Sequence, residues 1–302
     1  MAGTIWEFFG YRADDDSAAA QDARSRRHCP VIDQPCEKTF NDGVISGVCS
    51  LKPITTEPVI CCPVRLYGNN YQFLREVALK AFGDDLEVIP GRTAVQWARA
   101  EAKPCVAAFG KRWGGELRLP TKLGRGGYFV DWVLARLTPG GDLAEFVAVE
   151  VQTIDTTGNY RNGFRALHNG EGVVKTSAGL NWENVSKRIL PQLIYKGQVL
   201  QREDLCKKGI FFVCPIAVFE HIAQRLGGDR ALIPYPLQPA SITFMAYRHL
   251  PSEPPADGRL VPVQQVLERS TTVYKLQEAF NNVTLPEANV YRIAILRALG
   301  RT

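Results

Sequence analysis

Asp131, Glu150 and Gln152 carry the chemistry most plainly legible in this chain. They lie in one stretch, GYFVDWVLARLTPGGDLAEFVAVEVQ, where two apolar, β-rich runs flank a Thr-Pro-Gly-Gly-Asp turn. That pattern predicts a β-hairpin. An unpaired carboxylate among apolar neighbours is costly, so an acid inside such a run needs a reason. Period-2 geometry puts Glu150 and Gln152 on one face, roughly 6–7 Å apart. If Asp131 reaches that face from the neighbouring strand, two carboxylates and an amide converge. Such a group suits a hard divalent cation and a water, with Asp131 and Glu150 holding Mg²⁺. The bland alternative is two unrelated acids at a sheet edge and a strand end. Glu150 argues against it, because both of its neighbours are valines. Glu116, in GGELRLP, is a candidate third carboxylate. Nuclease sites of this kind usually carry a lysine two residues after the acid. Gln152 stands there instead, and an amide can only orient a water by hydrogen bonding.

A second constellation is made of thiols. Five of the eight cysteines lie between positions 29 and 62, in a segment rich in Pro, Gly and Thr. Cys29, Cys36, Cys49 and Cys62 are separated by 6, 12 and 12 residues. That is not a ribbon spacing, and buried thiols are the plain alternative. A segment without its own core still favours a tetrahedral S₄ site, for Zn²⁺ or iron, that would supply the missing stability. Cys61 and Cys62 are adjacent, so one is spare. The recurrence of Cys-Pro at Cys29 and Cys62 favours Cys62. Cys105, Cys206 and Cys214 read as small core residues.

The elements that must position these groups alternate between helix and strand. NYQFLREVALKAFG and TAVQWARAEAK read as helices, and LEVIP as a strand. CVAAFGKRWGGELRLP reads as a strand, a Gly-Gly bend and a second strand carrying Glu116. After the hairpin, DTTGNYRNGFRALHNGEG is loop-like. NVSKRILPQLIYKGQVLQRE is helical with a kink expected at Pro191. GIFFVCPIAVF and SITFMAYRHL contain strands, and VYKLQEAF and EANVYRIAILRALG are terminal helices. Residues 12–28 read as a flexible arm. The expected division is an N-terminal arm and cysteine module over 1–66, then a nuclease core over 67–302 with a mixed α/β sheet.

The chain has 302 residues, 45% apolar and 22% charged, which fits an ordinary globular protein. A net charge of +5 is compatible with a polyanion partner without requiring one. Lys111, Arg112, Arg118, Lys122 and Arg125 precede the hairpin. Arg161 and Arg165 follow it, and Lys187, Arg188 and Lys196 lie on the next helix. Arg161, Arg165 and Lys187 are candidate DNA contacts from their position near the active strand. No apolar run is long enough to span a membrane, and no secretory signal opens the chain, so it is expected in the cytoplasm. No phosphate loop, dinucleotide fingerprint or serine triad is supported.

Several pieces in one order resemble the NotI group of Type II restriction endonucleases, a branch of the PD-(D/E)XK superfamily. They are WEFFGYR, the cysteine series, GGEL, FVDWVLA, VEVQTID with the following GNY, and NVSKRILPQLIYK. The resemblance implies a restriction-endonuclease-like PD-(D/E)XK core with an N-terminal four-cysteine metal-binding module. It implies Mg²⁺-dependent cleavage of double-stranded DNA at a GC-rich palindrome by a homodimer, in a prokaryote that also makes a cognate DNA methyltransferase. Active-site roles then fall on Glu116, Asp131, Glu150 and Gln152, and an iron site on Cys29, Cys36, Cys49 and Cys62. The resemblance fades after about residue 205. The readings kept beside it are a repair or mobile-element nuclease on the same core, and a DNA-binding module with an inactive site.

Overall fold

The computed structural model describes residues 3–83, 85–115, 117, 129–228, 232–250, 257–282 and 287–301. The chain opens with β1 (Gly3–Phe8), β2 (Tyr11–Arg12) and α1 (Ala18–Ser25). Two short strands follow, β3 (His28–Cys29) and β4 (Gln34–Pro35), then β5 (Val48–Pro53) and β6 (Val59–Ile60). Strands β2, β1, β5 and β6 form one antiparallel sheet in that order.

Where an arm was expected over residues 12–28, α1 forms. Ser17 Oγ accepts the Ala20 N–H at 3.2 Å, and Ala20 and Ala23 are buried. Small side chains give a helix too little apolar area to show periodicity, yet they let it pack closely.

The second half of the fold holds α2 (Gly68–Phe82), β7 (Val88–Pro90), α3 (Gly91–Glu101), β8 (Cys105–Gly110), β9 (Trp132–Leu137) and β10 (Leu143–Val151). It continues through β11 (Thr156–Thr157), α4 (Arg161–His168), β12 (Gly179–Leu180), α5 (Leu190–Leu200), β13 (Ile210–Pro215) and α6 (Ile216–Arg225). The last elements are β14 (Ser241–His249), β15 (Val263–Thr272), α7 (Val273–Asn281) and α8 (Val290–Ala298). A seven-stranded mixed sheet runs β15-β14-β13-β10-β9-β8-β7. Its centre is parallel between β10, β13 and β14, while the β9–β10 hairpin is antiparallel. The mixed α/β core expected from the sequence is present.

Alternation along β10 sorts its side chains. Val147, Val149 and Val151 face a layer containing Phe73, Leu74 and Trp132. Ala148 faces a second layer with Leu190, Leu193, Phe212 and Ile242. Ile5, Phe8 and Leu51 from the first sheet join this second cluster. The Cys-rich segment therefore shares a core with the large sheet.

Two local expectations change. The loop-like stretch after the hairpin contains α4, because tertiary packing overrides its weak propensity. Phe164 sits edge-on to Phe8 and Phe40, and Gly163 lets the helix approach Thr176 and Ile5, where a Cβ would lie 2.6 Å from the threonine methyl. At Pro191 the expected interruption takes the form of a π-helical turn, Val185–Ile189, which runs directly into α5, with the Leu190 N–H reaching back five residues to the Val185 carbonyl.

Candidate active site

Asp131 and Glu150 meet at the open end of the β9–β10 hairpin. Trp132 pairs with Val149, and continuing that register by one residue sets Asp131 opposite Glu150. The Val151 N–H donates to Asp131 Oδ2 at 2.8 Å. Burial, and then the charge of Glu150, push the Asp131 carboxyl up to about 6, against the opposing pull of that N–H and of Lys196. Asp131 as a residue is exposed, although neighbouring groups crowd its carboxyl. Glu150 is only 5% exposed.

Glu150 is asymmetrically satisfied. Its Oε1 accepts Gln152 Nε2 at 3.1 Å and Lys196 Nζ at 2.5 Å. Its Oε2 is buried with no hydrogen-bond partner among the described residues. A buried carboxylate oxygen left bare is costly in a folded chain unless something else occupies it. Mg²⁺ fits this requirement: a hard cation prefers carboxylate oxygens, and two acids come together here. Glu116 lies outside the described residues, as do Arg118, Lys122 and Arg125.

Lys196 is the site residue that sequence reasoning passed over, having been counted only among the basic residues. It projects from α5, where Leu193 and Gly197 are buried. Gly197 permits close contact with β14 and α7, since a Cβ there would lie 2.3 Å from a Val273 methyl and 3.7 Å from Ile242. That close seating brings the ammonium to the sheet. The available signal was a lysine one step round the helix from an apolar stripe.

The candidate DNA contacts divide. Arg161 is bridged to Asp42 at 2.7 Å and lies over the Phe40 ring, 4.4 Å from its centroid. Lys187 pairs with Glu183 one turn away at 2.5 Å. Arg165 is exposed and has no side-chain partner among the described residues. A cleft of about 1110 Å³, lined from β1, β5 and α6, includes none of Asp131, Glu150 or Gln152.

Cys29, Cys36, Cys49 and Cys62 line one cavity of about 20 Å³, together with Arg65 and Arg112. Cys61 does not line it, and its thiol donates instead to the Val59 carbonyl. All eight cysteines are free thiols. Backbone N–H groups serve three of the cavity sulfurs: those of Val31 and Ile32 for Cys29, Lys38 and Gly47 for Cys36, and Val64 and Arg65 for Cys62. Burial nonetheless pushes all four thiols up, Cys36 to about 11. Among the described residues no group of three or more His, Cys, Asp or Glu side chains is arranged to hold a metal ion. The expected four-cysteine module is therefore not supported as an assembled metal site. The four cysteines nonetheless line one cavity.

Elsewhere in the same region Glu7 is fully buried. It pairs with Arg65, accepts Ser50 Oγ at 2.6 Å and lies 3.2 Å from His249 Nε2. Burial would raise its carboxyl, but Arg65 leads a set of partners that bring it down to about 2. Sequence reasoning did not single out Glu7.

A mixed sheet with two acids meeting at the end of a central hairpin is compatible with a hydrolase of the nuclease type. The model of the family of restriction endonuclease NotI matches residues 9–224, and the chain belongs to that family. It is a Type II site-specific deoxyribonuclease acting on double-stranded DNA. No curated protein matches the chain. No helix among the described residues is long and apolar enough to cross a membrane.

Proposed function

We propose that this endonuclease hydrolyses both strands of a GC-rich palindrome as a homodimer, using Mg²⁺ held by Asp131 and Glu150. The bare, buried Oε2 of Glu150 beside Asp131 carries this reading. When bound, Mg²⁺ would neutralise charge on the scissile phosphate and lower the pKa of water. Gln152 would orient the attacking water through its amide, having no charge to give it. Water oxygen joins phosphorus, a backbone P–O bond breaks, and the leaving oxygen takes up a proton. Glu116 remains a proposed third carboxylate.

Two copies related by a twofold axis suit a palindrome, and twofold dimers are the commonest oligomers. A GC-rich target would be read by Arg or Lys bonded to guanine O6 and N7. Arg165, exposed and with no side-chain partner among the described residues, is the most available of Arg161, Arg165 and Lys187 for a DNA contact. A cognate methyltransferase protecting the host would be the functional partner, and the cytoplasm the place of work.

Incubating plasmid with Mg²⁺ tests the reading. Discrete fragments with GC-rich ends, abolished by chelation, are expected. A smear would indicate a nonspecific repair-type nuclease. Binding without cleavage would indicate an inactive DNA-binding module. Ultracentrifugation showing a single-chain species both free and on DNA would overturn the homodimer.

We also propose one structural metal, iron or zinc, on Cys29, Cys36, Cys49 and Cys62. The cavity is large enough for one ion, N–H donors surround three sulfurs, and Arg65 and Arg112 can balance thiolate charge. Four thiolates leave no open position, so its work would be structural. Elemental analysis should find one iron or zinc per chain, lost in Cys62→Ser and kept in Cys61→Ser. Metal-free protein that is stable and active would remove the site.

A further inference from the structure

The residue two positions beyond Glu150 is an uncharged amide, yet the carboxylate is not left without a cation. Lys196 reaches it from α5, across 46 residues of sequence, with its side chain 19% exposed and that of Glu150 only 6% exposed. The ammonium and the Gln152 amide both engage Oε1, which leaves Oε2 bare. An ammonium is a compact charge with three donors, whereas an amide brings only dipoles.

The two contacts have different consequences. Asp131 and Glu150 bring two acids to one end of the hairpin, and Lys196 is the cation bonded to one of them. Lys196 also fixes which oxygen of Glu150 is spent inside the protein. Of the two oxygens, only the one turned away from Lys196 and Gln152 remains for an external cation.

We propose that Lys196 is the positioning residue of the active site: by holding Glu150 through Oε1 it presents Oε2 to the divalent metal, doing from a helix what a lysine at position 152 would do from the strand. This rests on the Mg²⁺-dependent reading above.

Four variants test it: Lys196→Met, Lys196→Arg, Gln152→Lys and the double variant Lys196→Met/Gln152→Lys. Each is assayed by single-turnover cleavage, by Mn²⁺ binding without DNA, and by thermal unfolding. Removal of a group that orients a metal ligand typically costs about 10–100-fold in affinity or activity. Lys196→Met should lose cleavage by about that factor, and its Mn²⁺ isotherm should move to weaker binding. Lys196→Arg should keep part of both. The double variant should regain Mn²⁺ binding, because the cation returns to the same carboxylate from the adjacent strand position. A lysine that merely packs α5 would not be rescued from position 152.

Wild-type rate and isotherm in Lys196→Met would overturn the proposal, as would tighter Mn²⁺ binding, which would mean that the ammonium only repels the metal. Failure of the double variant to recover Mn²⁺ binding would overturn it too. If the wild-type protein itself cuts no DNA, the nuclease reading falls, while the Mn²⁺ isotherms still decide the role of Lys196.

Discussion

Glu7 and Glu150 look alike in sequence and end in opposite states. Each is an acid in an apolar strand, in IWEFF and VAVEVQ, and each is buried, at 0% and 5% exposure. Around Glu7 both oxygens are engaged: Arg65 on Oε1, with Ser50 and His249 on Oε2. Around Glu150 one oxygen takes two donors and the other takes none. The neutralised acid is brought down to about 2, whereas Asp131, facing Glu150, is pushed up to about 6. Burial does not distinguish a working acid from a structural one. Between these two acids the difference is the bare oxygen of Glu150, where the fold gives up stability.

The widest separation between the two should appear on truncation. Glu150→Ala should lose cleavage by about 10³-fold or more, since metal charge stabilisation is worth several kcal/mol and each 1.36 kcal/mol is tenfold. Its melting temperature should hardly fall, and DNA binding should survive. Glu7→Ala should do the reverse. It leaves Arg65 buried and unpaired, a cost of about 3–5 kcal/mol, while activity per folded molecule is kept. Calorimetry beside cleavage assays makes the comparison. A Glu7→Ala protein with normal stability but no activity would collapse it.

Acid titration should separate them next, with opposite signs. Glu7 has a folded pKa of about 2, below its usual 4.5, so its stabilisation is complete above pH 4.5 and is lost as pH falls toward 2. Asp131 has a folded pKa of about 6, above its usual 3.8, so without metal its contribution falls as pH rises from 3.8 through 6. Glu7→Gln should flatten the acid limb of a melting-temperature profile, and Asp131→Asn the limb between pH 4 and 6. Cleavage at limiting Mg²⁺ should climb across pH 5–7 as Asp131 ionises. A rate independent of pH in that window would detach Asp131 from metal binding.

The smallest effect extends the contrast to cations. Arg165 has no side-chain partner among the described residues, whereas Arg161 is held by Asp42 and Phe40. Arg165→Ala should lower the slope of log affinity against log salt by about one, and Arg161→Ala should leave it unchanged. Equal slopes in the two variants would show that the ion pair opens on DNA.

The hairpin was legible because a period-2 apolar pattern and a Gly-Gly turn are local. With it came Asp131, Glu150 and Gln152, whose proximity follows from one turn. Lys196 was not legible, since its contact with Glu150 crosses 46 residues and depends on how closely Gly197 seats α5. Glu7 was further from view, with partners 43, 58 and 242 residues away. The short helices α1 and α4 were read as an arm and a loop because burial of alanines and aromatic stacking, rather than propensity, holds them. The cysteine series was visible, and Cys62, unlike Cys61, faces the shared cavity. No sequence period could reveal the backbone N–H groups that surround it.

The Glu7 cluster also orders events in time. Residue 7 leaves the ribosome 242 residues before His249, and at about 5–20 residues per second this is roughly 12–50 s. Until then Glu7 can meet Arg65 but not His249. Arg65 likewise lacks the Val261 carbonyl that takes its other N–H group. The backbone pairing of β1 with β2 and β5 is thus available long before its buried acid has all its partners, and the Glu7 cluster is completed only once the segment through Val261 has been made.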